Sequence, residues 1–144
     1  MPYWRLFYHL VWATKGREAL ITTESLERTL IAGVRDKASE MGAIVHAVGC
    51  ADDHVHLVVS VPPSVGLAAF VGQVKGASSH LVNHTLPLPQ RFGWQAEYGV
   101  VSFGEKQLPW VVDYVENQRR HHADRSTYAS LERYEPLAEE PGGE

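Results

Sequence analysis

The chain is expected to fold as an α+β sandwich of the ferredoxin-like, split βαβ kind. This means a four-stranded antiparallel sheet, two helices on one of its faces and a further C-terminal helix. Three observations predict it: an element order of strand, helix, strand, strand, helix, strand, helix; short runs rich in aromatic and β-branched residues; and long stretches with apolar residues at helical spacing. With 144 residues, 44% of them hydrophobic, the chain has the size of one domain and can bury a core.

Tyr3 to Trp12 reads as the first strand, with Trp4, Leu6, Tyr8, Leu10 and Trp12 sharing a face. Thr14-Lys15-Gly16-Arg17 follows as a short basic loop. From Thr23 to Met41, Leu26, Leu30, Val34, Ala38 and Met41 recur at helical spacing, and Gly42 stands at the C-terminal cap. Ala43–Gly49 and His54–Val61 read as strands joined by the tight turn Cys50-Ala51-Asp52-Asp53, hence an antiparallel hairpin. Pro62-Pro63-Ser64 opens a helix of about twenty residues whose inner face carries Leu67, Phe70, Val71, Val74, Ser78 and Leu81, weakened by Gly72 and Gly76. Leu86–Gly93 is a loop, Tyr98–Phe103 a fourth strand and Glu105 to about His122 a last helix. The free face of the sheet needs a cover, either that helix or a partner subunit. Residues 1–123 are taken as one domain and 124–144 as an acidic tail expected to be mobile.

Net charge is −4, and residues 132–144 account for all of it, leaving 12 acidic and 12 basic side chains in the remainder. A neutral body allows a local basic face but gives no global steering toward nucleic acid. Cys50 stands alone, so neither an internal disulfide nor a cysteine-based zinc cluster is available. No apolar run approaches the roughly 20 residues of a membrane span, and no signal peptide is visible at Met1-Pro2-Tyr3-Trp4-Arg5, so a cytoplasmic location is the expectation.

The chemistry-bearing feature is Asp53-His54-Val55-His56-Leu57-Val58-Val59. Residues two apart on a strand face the same side, so both imidazoles can converge on one cation. Taken alone, the pair is as readily two structural histidines. A second pair, Tyr114 and Gln118, stands four residues apart, a spacing that stacks a phenol and an amide on one helix face. A phenol with pKa near 10 attacks a phosphodiester only when a cation polarises the phosphate oxygens. Mn²⁺ or Mg²⁺ suits that task, whereas Zn²⁺ would bind without being required.

The His54–Val59 segment followed by Tyr114-Val115-Glu116-Asn117-Gln118 resembles the single-tyrosine HUH transposases of small bacterial insertion sequences. Phe70-Val71-Gly72-Gln73-Val74-Lys75-Gly76-Ala77-Ser78-Ser79 resembles that family's middle helix, and the likeness runs from Tyr8-His9-Leu10-Val11-Trp12 to about His122. The resemblance implies a dimeric enzyme that cuts and rejoins single-stranded DNA at the ends of its element through a 5′-phosphotyrosine link. Sites are then chosen through subterminal hairpins. It maps His54, His56 and Gln118 to the metal ligands and Tyr114 to the nucleophile.

Lys15, Arg17, Lys75, Arg119 and Arg120 are candidate phosphate contacts, and Trp12, Trp94 and Trp110 candidate stacking partners for unpaired bases. Asp52 and Asp53 are expected to shape the turn, and His121 and His122 to cap the last helix. Two other classes stand beside this reading. One is a domesticated relative that binds hairpins or single strands without cutting. The other is a histidine-triad hydrolase, disfavoured because position 58 is valine.

Overall fold

The computed structural model describes residues 2–124 and 127–134; most of the acidic tail, residues 135–144, lies outside the described residues. The elements are β1 (Phe7–Ala13), α1 (Glu24–Glu40), β2 (Ile44–Cys50), β3 (His54–Ser60), α2 (Leu67–Thr85), β4 (Gly99–Phe103), α3 (Leu108–Glu116), α4 (Gln118–Asp124) and α5 (Ala129–Glu132). The strands form one antiparallel sheet in the order β2-β3-β1-β4, the ferredoxin-like arrangement expected from the element order. Among the described residues, no helix is long and apolar enough to cross a membrane.

Alternation along the strands divides the sheet into two unlike faces. Leu10, Trp12, Val48, Cys50, Val55, Leu57 and Val59 point toward α1 and α2 and form the main core with Leu30, Val34, Phe70 and Val74. Burying each such large side chain contributes about 1.5–3 kcal/mol, so this layer holds the domain together. α1 starts where Thr23 Oγ1 accepts the Leu26 amide at 3.1 Å, and the chain leaves it through Gly42 in the left-handed region, φ 82°. The other face carries a smaller cluster of Ala47, Val58, Val111, Tyr114, Val115 and Leu131. Of the two covers considered for this face, the last helix supplies the one observed, in the same chain.

Two elements depart from expectation. β1 begins at Phe7, not Tyr3, because its partners run out: Phe7 pairs with Phe103 at the end of β4, and Tyr8 with Val59 near the end of β3. The long last helix is broken. Asn117 leaves helical geometry at φ −111°, ψ 31°, and its side-chain amide donates to the Asp113 carbonyl at 2.8 Å, competing with the backbone for that acceptor. Tyr114 and Gln118 therefore sit on two consecutive helices rather than on one.

α3 lies so close to β2 that a Cβ on Gly49 would run into the Val115 carbonyl. Gly49→Ala should therefore push α3 off the sheet and cost about 1–3 kcal/mol, measurable by urea denaturation.

Candidate active site

His54 and His56 project from β3 toward α3, 2% and 0% exposed, with ring centroids 4.9 Å apart. Each ring is oriented by a second group through Nδ1. His54 Nδ1 lies 2.7 Å from Asp53 Oδ1, and His56 Nδ1 lies 2.7 Å from Nε2 of the buried His9 on β1. A carboxylate accepts only, so His54 carries a proton on Nδ1, and its Nε2 carries one too while it faces the Glu132 carboxylate; that nitrogen offers a lone pair only where a cation takes the proton's place. Facing the Glu132 carboxylate, His56 carries its proton on Nε2; with a cation bound there instead, its Nδ1–H would donate to His9 Nε2 and leave Nε2 for the ion. Asp53, expected to shape the turn, thus also aims a histidine. Arg17 fixes that carboxylate in turn, at 3.3 Å.

Both Nε2 atoms point at one oxygen. Glu132 Oε1 stands 3.1 Å from His54 Nε2, 3.1 Å from His56 Nε2 and 3.2 Å from His122 Nε2. The second carboxylate oxygen accepts a short hydrogen bond from the Tyr114 hydroxyl, which also accepts from the Tyr128 amide at 3.0 Å. The phenol is 2% exposed; His121 stacks on its ring at 4.5 Å and Trp110 at 5.9 Å. Gln118 is buried, its Nε2 donating to the Tyr114 carbonyl at 3.2 Å and its Oε1 3.1 Å from His122 Nε2. The histidines and Tyr114 therefore meet directly, and Gln118 reaches the group through His122. His122, expected as a helix cap, turns inward instead: α4 restarts after Asn117 and aims that ring at His54, 4.6 Å away.

Electrostatics follow from this enclosure. Burial, with the adjoining His56 charge, pushes His9 down to about 3, and burial holds His56 at about 4 even against Glu132. Burial alone would lower His54, but the carboxylates of Glu132 and Asp53 outweigh it and raise its pKa. Burial would likewise raise Glu132, yet its hydrogen bonds to His54 and His56 hold it well below the usual carboxylate range. The Tyr114 phenol is raised, by burial first and by the Glu132 carboxylate second. A free carboxylate beside it favours the neutral phenol, so ionising Tyr114 needs added positive charge. The donor set can supply that: three imidazole nitrogens and a carboxylate oxygen lie within 4.8 Å of one another, a buried cluster that fits a divalent cation.

The basic residues are less concentrated. Lys75 Nζ donates to the carbonyls of Gln95 at 2.5 Å and Ala96 at 3.1 Å, tying α2 to the loop before β4. Arg119 is held by Glu27 and Asp52, and Arg17 by Asp53, whereas Lys15 and Arg120 lie exposed on the surface. Trp12 is fully buried in the main core and cannot stack on a base; Trp94 is half-buried with its indole N–H on Ser78 Oγ at 3.1 Å; Trp110 is 50% exposed.

Comparison with known proteins decides the family. The model of the IS200-like transposases matches residues 2–118. The chain belongs to the IS200-like transposase family. It is similar to the ISDra2 transposase TnpA of Deinococcus radiodurans, 29% identical over 120 residues, 80% of this chain and 85% of that protein. It is also similar to the transposase for insertion sequence element IS200 of Salmonella typhimurium, 28% identical over 127 residues, 80% of this chain and 78% of that one. A crystal structure of a candidate transposase from Deinococcus radiodurans, 30% identical, superposes with a TM-score of 0.64 over 83% of this chain and 95% of its own. A REP-associated tyrosine transposase bound to a REP hairpin shares the fold alone, at 14% identity and a TM-score of 0.62 over 100% of this chain and 98% of its own.

Within this IS200-like chain, three residues at the site carried no strong sequence signal. His9 lay inside an aromatic strand, His122 looked like a helix cap, and Glu132 stood in a stretch read as an acidic tail. The only available hint was alternation on β1, which puts His9 on the face opposite Leu10 and Trp12.

Unfolded, both His9 and His56 titrate near 6.5. Between that value and about 3–4 the unfolded chain takes up protons that the folded chain refuses, so stability falls as pH drops through the window. The slope is up to about 1.4 kcal/mol per pH unit for each histidine. Replacing His9 with Gln should remove up to one proton's share of it, as read by denaturation in chelator at stepped pH.

Proposed function

We propose that this transposase cleaves and rejoins single-stranded DNA at the ends of an insertion sequence, with Tyr114 forming a 5′-phosphotyrosine link. The observation that carries this reading is the convergence of the Tyr114 hydroxyl and the Nε2 atoms of His54 and His56 on one carboxylate, which puts nucleophile and candidate ligands around a single point.

His54, His56 and Gln118 would hold the divalent cation, Mg²⁺ or Mn²⁺. When bound, such an ion polarises the scissile phosphate and offsets the charge of the attacking oxygen. Asp53 and His9 keep the two imidazoles aimed. Van der Waals walls from Trp110, His121 and Tyr128 fix the phenol ring, so little orientational freedom is lost when the phosphate arrives. A phosphate oxygen can replace Glu132 Oε2 as the acceptor of the hydroxyl, whereas the Tyr128 amide donates to the phenolic oxygen and can keep that bond.

The DNA would be a single strand bearing a subterminal hairpin. The hairpin bound by the REP-associated neighbour, which shares this fold, supports that choice. Lys15 and Arg120 are the exposed cations ready for phosphates, and Trp110 is the exposed indole beside the nucleophile. Arg17, Lys75 and Arg119 would contact DNA only by exchanging their present partners. A homodimer joined through β4 fits the outer position of that strand, where Val100 and Val101 are 40% and 38% exposed.

Incubation with hairpin-bearing single-stranded DNA and Mn²⁺ should give a covalent adduct that survives denaturing gels. Tyr114→Phe should abolish it, a loss of at least about 10³-fold, as for removal of a nucleophile. An adduct persisting in that variant would reassign the nucleophile.

A further inference from the structure

Glu132 is the one carboxylate that enters the histidine cluster among the described residues, and the fold builds a seat for it. α5 is pinned by Leu131, 7% exposed, against Ala47, Val58 and Val111. Immediately beyond, the chain crosses β4 at Gly99, where any Cβ would run into the Arg133 carbonyl. Arg17, already bound to Asp53, also lies over the Tyr134 ring at 5.0 Å. Three independent contacts therefore bring this segment down on the sheet and set Glu132 over His54 and His56.

The distances suit ligands that share an ion. On a cation with bonds of about 2.1 Å, donors at right angles stand about 3 Å apart. Glu132 Oε1 lies 3.1–3.2 Å from three imidazole nitrogens. Two imidazoles and an amide also make a weak set for Mg²⁺ or Mn²⁺, which prefer anionic oxygen. A carboxylate supplies both the hardness and the charge that this set lacks.

We propose that Glu132 is a ligand of the cation, joining His54 and His56 through Oε1, so that the segment after the nucleophile helices completes the metal site. This rests on the reading of His54 and His56 as metal ligands. It differs from a two-histidine, one-amide site in a measurable way: the protein should hold its ion without DNA, because the anionic ligand comes from the chain and not only from the substrate phosphate. It also couples the ion to the nucleophile, since the other carboxylate oxygen holds the Tyr114 hydroxyl until the phosphate displaces it.

The test is Mn²⁺ binding to the full chain without DNA, followed by calorimetry and by loss of the free-ion electron paramagnetic resonance signal. Glu132→Gln, which keeps shape and hydrogen-bonding capacity but removes the charge, is expected to weaken Mn²⁺ about 10- to 100-fold. Glu132→Asp should fall between the two, a grading that general loss of packing would not give. Gly99→Ala, which lifts the segment without touching any candidate ligand, should weaken binding in the same direction. Unchanged or tighter Mn²⁺ binding by Glu132→Gln would overturn the proposal and show instead that the carboxylate occupies the place of the ion or the phosphate. Because no DNA is present, this result is independent of whether the Tyr114 adduct forms.

Discussion

Burial of β3 on both faces is the constraint on which the site depends. The strand lies between β2 and β1, and all seven of its residues are buried. Val55, Leu57 and Val59 meet the α1–α2 layer, so His54 and His56 must face the other way. An imidazole there without partners would cost about 1–3 kcal/mol. That cost is met by Asp53 on one ring and His9 on the other, and both partners act at Nδ1. The same bonds that make two polar rings tolerable in a core also leave Nε2 as the atom each offers. Folding stability and site chemistry are here one set of contacts.

The two sides of the sheet divide the work. The α1–α2 side holds most of the apolar burial. The α3–α5 side has a small cluster, and the Tyr114 ring is a member of it. Tyr114 is thus both a packing residue and the proposed nucleophile. Its phenol is raised in pKa by burial and by Glu132, so it rests neutral and inert until charge arrives to offset that carboxylate.

The fold was legible because period-two and helical patterns are local, and four strands with two long amphipathic helices leave few alternatives. The histidine pair was legible for the same reason: two residues apart on a strand is a statement about one face. Glu132 was not. It stands 78 residues from His54, and in sequence it heads the glutamate-rich stretch 132–144, which reads as a solvated tail. His9 was hidden because a histidine in an aromatic strand is counted as part of that strand's pattern. The break at Asn117 escaped because the polar stripe of Tyr114, Asn117, Gln118 and His121 keeps helical spacing across it; competition for the Asp113 carbonyl ends the helix there.

Two glycines do what no side chain could. At Gly49 and Gly99 the missing Cβ is the space into which another backbone fits, first that of α3 and then that of the segment carrying Glu132. A side chain at position 99 here would leave no room for that segment, and a cation at the histidines would then have to draw its anionic oxygen from somewhere else. In this chain, a single backbone atom's worth of clearance at Gly99 is what seats the proposed anionic ligand of the cation.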